Sequence, residues 1–414
     1  MSRGPSRRHS PAAGGRSWKR ARMTLAKGAV VDLSVPEEVR LLLATVEKFV
    51  EREIRPLEEE NAQILSGGTI TPEVYALTRE VTRRAVKAGI YGLAMPESAG
   101  GGGLGEFEMC LLRETVARMP SPLALNMLGD LLFGPNRMIL ELATPVQQER
   151  YFAPLASGEA TTCIALTEPG AGSDLAAVAT MARADGDSWV VNGSKHFITN
   201  AYYADFLTVL ARSEGGYSFF FVDRDAPGLT VRPPIRTMGG DDLQSEIFFD
   251  DCRLPSGALL GERGRAFEYA MRFLSNERLS IAAMAIGLAR YLVDLMCAHA
   301  KERVQFGSPI GSNQAIQWMV ADSLTELYAA RSMCHDAAWR ADQGEDVLQQ
   351  VSMVKLYATE MVGRVADRAV QVFGGMGYVC EGPVERVYRL VRVMRIGGGT
   401  SEIQRMIVAK SAGL

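Results

Sequence analysis

Three stretches of the 414-residue chain carry side chains whose type and spacing could do chemistry. The first is Leu166-Thr167-Glu168-Pro169-Gly170-Ala171-Gly172-Ser173-Asp174, which leaves an apolar run and enters a glycine-punctuated turn. Such a turn exposes successive backbone N–H groups, and the Thr167 and Ser173 hydroxyls add to them, a set suited to a polar ring edge or a phosphate. Taken alone, a string of this kind is an ordinary connection between strands. The second is Asn192-Gly193-Ser194-Lys195-His196-Phe197-Ile198-Thr199-Asn200, read as a hairpin turn at Asn192-Gly193 followed by a strand. Phe197 and Thr199, two apart on that strand, would share a face. The third is Glu277-Arg278, at the head of a stretch without a single charge, 279–288, so that a carboxylate there borders a buried region.

The elements that must position these residues fall into three textures, and the fold class expected is α+β. From 31 to 160 the pattern is helical, with Val39, Leu42, Leu43, Val46 and Phe49 recurring at three- and four-residue steps. The Gly100 to Gly105 run has no apolar strand before it and no strand-helix-strand unit around it, which favours a flexible loop over a phosphate loop. From 161 to 262 short β-rich runs take over at 163–167, 189–191, 206–210, 217–222 and 246–249, with a turn signal at Asp185-Gly186-Asp187. An antiparallel barrel or sandwich is expected there. From 263 to 414 long helices return as an antiparallel bundle: 274–303, then one with Ile316, Met319, Val320, Leu324 and Leu327 on a stripe, then 347–373, and two shorter ones.

Composition narrows the function classes. The formal charge of −3 hides eight bases and no acid in the first 27 residues, and subtracting those eight leaves −11 for 28–414. An acidic body without a basic stripe argues against nucleic acid as a partner. No run of eighteen consecutive apolar residues occurs, so no bilayer span is expected. Six scattered cysteines without a CxxC pair point to a reduced compartment, and four dispersed histidines predict no metal centre. Residues 1–30, rich in Arg, Ser, Gly and Pro, read as a disordered basic extension. A cytoplasmic location is expected, or the mitochondrial matrix if that extension is a transit peptide.

With Arg303-x-x-Phe306-Gly307, Gln314, Gln371-Val372-Phe373-Gly374-Gly375 and Gly399-Thr400-Ser401-Glu402-Ile403 added, the chain resembles the acyl-CoA dehydrogenase family from about 35 to 414. The resemblance implies a FAD flavoenzyme that forms a trans-2,3 double bond in an acyl-CoA thioester, working as a homotetramer with electron-transferring flavoprotein as acceptor. It assigns Leu166, Thr167, Gly172 and Ser173 to the flavin ring and pyrophosphate, and Phe197 and Thr199 to the ring's flank. Phe197 stands where many relatives have Trp. Arg303, Phe306, Gln314, Gln371 and Gly375 resemble the set that reaches a neighbouring subunit's cofactor, and Thr400 and Glu402 belong to the last cofactor motif. A guanidinium matches a diphosphate.

Many members of the family place the catalytic Glu immediately before the Gly-Thr of that last motif, where this chain has Gly398. Isovaleryl-CoA and long-chain acyl-CoA dehydrogenases instead carry it before an Arg on the first long helix of the bundle, and Asn276-Glu277-Arg278 matches that place. The resemblance therefore makes Glu277 the base, with Gly398 keeping the backbone N–H that polarises the thioester carbonyl. Gly398, Gly399, Ser173 and Arg278 are the implied substrate contacts, Arg278 serving either the site or a structural ion pair. The run Gly397-Gly398-Gly399 is expected to leave room for a bulky or long acyl group, and Ser401 with Gln404 to cap the last helix. Two other readings stay open: a catalytically silent subunit of a heteromeric complex, and a flavin monooxygenase on the same fold.

Overall fold

Helix periodicity and helix-start chemistry account for the first elements. Helix α1 (Glu37–Phe49) begins after Pro36 with two acids in its first turn and buries Val39, Val46 and Phe49. Helix α2 (Pro72–Lys87) starts with Thr71, whose side chain accepts a hydrogen bond from the Val74 N–H, and with Pro at its first position. Together with α3 (Glu106–Ala117) they enclose a core that includes Val46, Ile54, Val74, Val81, Met109 and Leu112. The computed structural model describes residues 33–66, 68–129, 133–240, 242–380 and 382–414, which form one compact unit; the expected disordered extension at 1–30 lies outside the described residues. The glycine run before α3 is a loop, as expected, but a closely packed one. The N–H groups of Gly101, Gly103 and Leu104 bond back to the carbonyls of Pro96, Met95 and Leu93.

The middle segment is one eight-stranded sheet, built from β1 (Thr162–Ala165), β2 (Met181–Asp185), β3 (Ser188–Thr199), β4 (Phe206–Ser213), β5 (Gly216–Asp223), β6 (Leu229–Val231), β7 (Gln244–Pro255) and β8 (Leu259–Leu260). Its order is β6-β7-β3-β2-β4-β5-β8, with β1 added against β4. The halves β6-β7-β3-β2 and β1-β4-β5-β8 meet through a single registered pair, Met181 with Arg212, and fold over a shared interior that includes Val191, Ile247, Val209 and Phe220. The β4 and β5 strands are buried on both faces because Leu210, Phe219 and Phe221 pack outward under Tyr151, Phe152 and Tyr269. Two sequence expectations need correction. The sheet is not wholly antiparallel, since β1 runs parallel to β4 from Thr162↔Phe206 to Ala165↔Val209. Asn192-Gly193 is not a hairpin turn but a bulge inside the long β3, where its register against β7 slips between Val191 and Gly193. The hairpin turn that leads into β3 is Gly186-Asp187, with Gly186 at φ +61°.

The remainder is the bundle: α4 (Ala266–Glu302), α5 (Gln314–Asp342), α6 (Leu348–Phe373), α7 (Pro383–Val391) and α8 (Ser401–Ser411). Helix α4 begins earlier than the expected 274, because Ala266, Tyr269, Ala270 and Phe273 already bury one of its faces. By length and composition α4 could cross a membrane, yet 56% of its most apolar window is buried, against α3, α5 and α6. Its Gly287 lets α3 approach closely, since a Cβ there would overlap the Glu114 carbonyl oxygen. On α5 the buried stripe runs through Ser323, Leu327, Ala330 and Cys334; Leu324, expected in it, is exposed.

Candidate active site

Helix α4, helix α6 and the start of α8 converge on the loop Ile396-Gly397-Gly398-Gly399-Thr400. Gly398 and Gly399 adopt φ +63° and +90°, a conformation open to glycine at little cost. A Cβ on Gly398 would lie 3.8 Å from the Glu277 Cδ and 2.8 Å from the Ile281 Cδ1. The two positions at which the family's carboxylate is implied thus face one another in space, although 121 residues apart in sequence. Ile281 and Glu277 stand beside Gly398, and Gln404 beside Gly399, so the extra room expected from the three glycines is taken up by side chains.

Glu277 keeps part of its surface open, while the surrounding protein displaces most of its water. That burial pushes its carboxyl up to about 7, against the pull of the nearby Arg278 and Lys355 cations. Arg278 is buried, and burial lowers its proton affinity while Glu277 supports it. Its Nε makes a long contact of 3.4 Å to the Gly398 carbonyl, so it braces the loop. Lys355, from α6, was not singled out by sequence reasoning. It has no exposed surface and donates to the Gly399 carbonyl at 2.7 Å. Burial brings its ammonium down to about 8. The Gln404 amide donates to the Gly398 carbonyl at 3.1 Å and to the Gly399 carbonyl at 2.9 Å. Gln404 is therefore not a partner in a capping box; Thr400 is the N-cap, its hydroxyl accepting from the Ile403 N–H, while Ser401 donates to Glu360 at 2.7 Å. Glu402 lies exposed in the first turn of α8.

The turn after β1 is held from behind and left open in front. Glu168 is buried and accepts from the N–H groups of Ala179 and Thr180 and from Lys195 Nζ at 2.9 Å. Burial alone would raise Glu168, but these three donors hold it below the usual carboxylate range. Lys195, fully buried, also bonds the Leu166 carbonyl, and the His196 N–H bonds the Thr167 carbonyl. This clamp leaves Gly172 and Ser173 exposed, and a Cβ on Gly170 or Gly172 would meet nothing within 4 Å. Phe197 sits at a second bulge in β3 with φ +56°, the residue 55% exposed, and Thr199 closes the strand half-buried opposite Gln244. An open run of backbone N–H groups, free hydroxyls and a solvent-facing aromatic ring fit the phosphates and flat ring of a flavin dinucleotide.

The remaining residues expected to hold the cofactor stand at the other end of the bundle. Arg303 follows the last residue of α4, about 39 Å along the helix from Glu277 at 1.5 Å per residue. Phe306, fully exposed at φ +51°, tips the small hairpin Val304–Gln305 and Ser308–Pro309, and Gln314 opens α5, exposed. His299 stacks on Phe373 at 4.2 Å and ties this end to the end of α6, where Gln371 and Gly375 are exposed. One chain therefore does not bring this set together with Glu277.

A chain built in this helical, β, helical order has the acyl-CoA dehydrogenase fold, that of a class of oxidoreductases. Three family models match it in order: the acyl-CoA dehydrogenase N-terminal domain over residues 36–159, the middle domain over 163–252 and the C-terminal domain over 264–413. The chain belongs to the acyl-CoA dehydrogenase family. It is 39% identical over 385 residues to benzylmalonyl-CoA dehydrogenase of Aromatoleum aromaticum, covering 92% of this chain and 99% of that protein. It is 34% identical to the mitochondrial short-chain specific acyl-CoA dehydrogenase of Homo sapiens, over 91% of this chain and 90% of that one. The crystal structure of acyl-CoA dehydrogenase from Geobacillus kaustophilus superposes with a TM-score of 0.84 at 32% identity, over 92% of this chain and 99% of the other.

Proposed function

We propose that this protein removes hydrogen from the α and β carbons of an acyl-CoA thioester, giving the trans-2-enoyl-CoA, with Glu277 as the base. The observation that carries the reading is the meeting of Glu277 and Gly398 in one place, with the carboxyl brought near neutrality. A base with a proton affinity close to the working pH is ionised often enough to act and basic enough to pull. Glu277 takes the α-proton; the electrons of that C–H bond form the new double bond as hydride leaves the β-carbon. FAD, held by the turn after β1 and by Phe197 and Thr199, would supply the acceptor for that hydride, with electron-transferring flavoprotein as the expected onward acceptor.

The rest falls to the chain's own groups. A backbone N–H of the glycine loop, Gly398 foremost, polarises the thioester carbonyl and makes the α-proton more acidic. Leu166, Thr167, Gly172, Ser173, Phe197 and Thr199 would hold the cofactor, with Thr400 and Glu402 beside them, and Ser173 and Gly399 within the substrate path. Arg303, Phe306, Gln314, Gln371 and Gly375, presented at the far end of α4, would grip the cofactor of a second copy, which makes a homo-oligomer, a tetramer in the family's pattern, the working form. The buried carboxylate supports this reading over a silent subunit, which has no use for a costly ionisable group.

Glu277→Gln tests it. The near-isosteric variant should keep its bound FAD and its fold, while reduction of that flavin by acyl-CoA slows by about two to four orders of magnitude. Flavin reduction as fast as the parent's would refute the assignment, and a purified protein that is colourless with every acyl-CoA tried would support the silent subunit instead.

A further inference from the structure

The glycine loop is pulled back by three side chains, and one of them is a fully buried lysine that the mechanism above does not use. Two consecutive carbonyls, Gly398 and Gly399, accept four contacts: Arg278 Nε at 3.4 Å, Gln404 Nε2 at 3.1 and 2.9 Å, and Lys355 Nζ at 2.7 Å. All peptide bonds are trans among the described residues, so each peptide points its N–H away from its C=O. Drawing both carbonyls toward the bundle turns the N–H groups of Gly399 and Thr400 the other way. The N–H groups of Gly399 and Thr400, and that of Gly398 before them, make no hydrogen bond among the described residues. Lys355 is the shortest of these contacts and carries the only ammonium among them.

We propose that Lys355 is a positioning residue for the reaction: its buried ammonium clamps the Gly399 carbonyl, fixing the loop with its N–H groups free, and sets a positive charge near Glu277. This rests on Glu277 being the base. The charged groups around the pair are few. Lys355 feels Glu277 and Arg278 from α4, Glu360 on its own helix and Glu402 from α8, and Glu360 is engaged by Arg395 at 3.6 Å and by Ser401. Among the described residues the charges that act on Glu277 are Arg278 and Lys355, and both favour its anion. Removing the Lys355 charge therefore raises the proton affinity of Glu277. The bland alternative is a lysine that merely fills the core; its loss would lower rate and stability without moving a pH profile.

Lys355→Met and Lys355→Gln, purified with bound FAD, separate these. Rapid flavin reduction by an acyl-CoA would be followed from pH 6 to 9, and hydrogen exchange of the 396–400 segment would be measured by mass spectrometry without substrate. In Lys355→Met the rise of rate with pH should move upward by about one unit, the lower end of an ion-pair effect. That is a loss of about fivefold at pH 7 that closes by pH 9, accompanied by faster exchange in 396–400. Lys355→Gln keeps a donor for Gly399, so it should show the pH shift with little change in exchange; it also serves if the Met variant does not fold. Lys355→Arg should leave the profile in place. A uniform loss at all pH values, or an unshifted profile in the Gln variant, overturns the proposal. If Glu277→Gln reduces its flavin normally, the functional reading fails first; if it does not, and the Lys355 profiles are unshifted, only this proposal fails.

Discussion

A carboxylate that burial holds near neutrality should weaken the fold that holds it. Glu277 is raised from 4.5 to about 7, so between those values the folded state binds more protons than the unfolded chain. Stability is then fully present below about pH 4.5 and declines as the pH rises through 7. Integrating the two titrations gives a penalty of about 1 kcal/mol at pH 5 and about 3 kcal/mol at pH 7. Glu277→Gln abolishes that penalty, so the variant should be more stable than the parent, and more so at pH 7 than at pH 5 by about 2 kcal/mol. Lys355 opposes this, since it loses the anion that sustains its own proton. The net gain at pH 7 should still exceed that at pH 5 by about 1 kcal/mol or more. Urea unfolding of parent and variant, both with FAD at saturating concentration, measures the difference at the two pH values. A variant equally stable or less stable than the parent at pH 7, with no dependence on pH, would show that Glu277 is not strained by burial and that its raised affinity is wrong.

Other outcomes follow from the same contacts. With a carboxyl near 7, the parent's flavin reduction should rise about tenfold from pH 6 to pH 8, and a flat profile in stopped-flow measurements would contradict it. Lys195→Met leaves Glu168 buried without its cation, which should cost about 3 to 5 kcal/mol and lower FAD retention after gel filtration; an unchanged melting temperature would count against the clamp. Gly398→Ala forces a Cβ into a left-handed conformation against Ile281, so turnover should drop while Ile281→Ala in the same background recovers part of it; no recovery would place the obstruction elsewhere. Arg303→Ala should shed FAD and shift sedimentation toward smaller species, and full FAD retention would argue against sharing across copies.

The order helical, β, helical was legible because periodicity changes twice along the chain, and the burial that begins at Glu277-Arg278 was legible because a charge-free run follows; the role proposed for Glu277 came from the resemblance alone. What stayed hidden was pairing between distant residues. Lys355 lies on the same helical stripe as Val351, Val354, Ala358 and Val362, a signal that could have marked it as buried, but its acceptor is a backbone carbonyl 44 residues away. Lys195 and Glu168 each look like ordinary loop and strand charges until β3 and the turn after β1 are laid side by side. The two bulges in β3 escaped notice because a period-2 reading assumes unbroken register, and Asn192-Gly193 carries a turn signal that the neighbouring β7 overrides. The parallel β1 was illegible for a similar reason: its partner β4 begins 41 residues after β1 ends, beyond any local pattern.

Five non-glycine residues adopt left-handed backbone angles among the described residues, and three of them, Asn200, Asp242 and Asp251, are of types that tolerate it. The other two are Phe197 and Phe306, each costing about 1 to 2 kcal/mol in backbone energy while also offering an aromatic ring to water. The Phe197 ring packs edge-on against the His196 ring at 4.0 Å, whereas the Phe306 ring lies fully exposed. If the cofactor contacts proposed for Phe197 and Phe306 form, each ring is a spring set in advance, its cost offset when something flat or apolar comes to rest against it. Evolution toward a more robust lone molecule would relax both to glycine, and would thereby lose the readiness that the two strained rings hold in store.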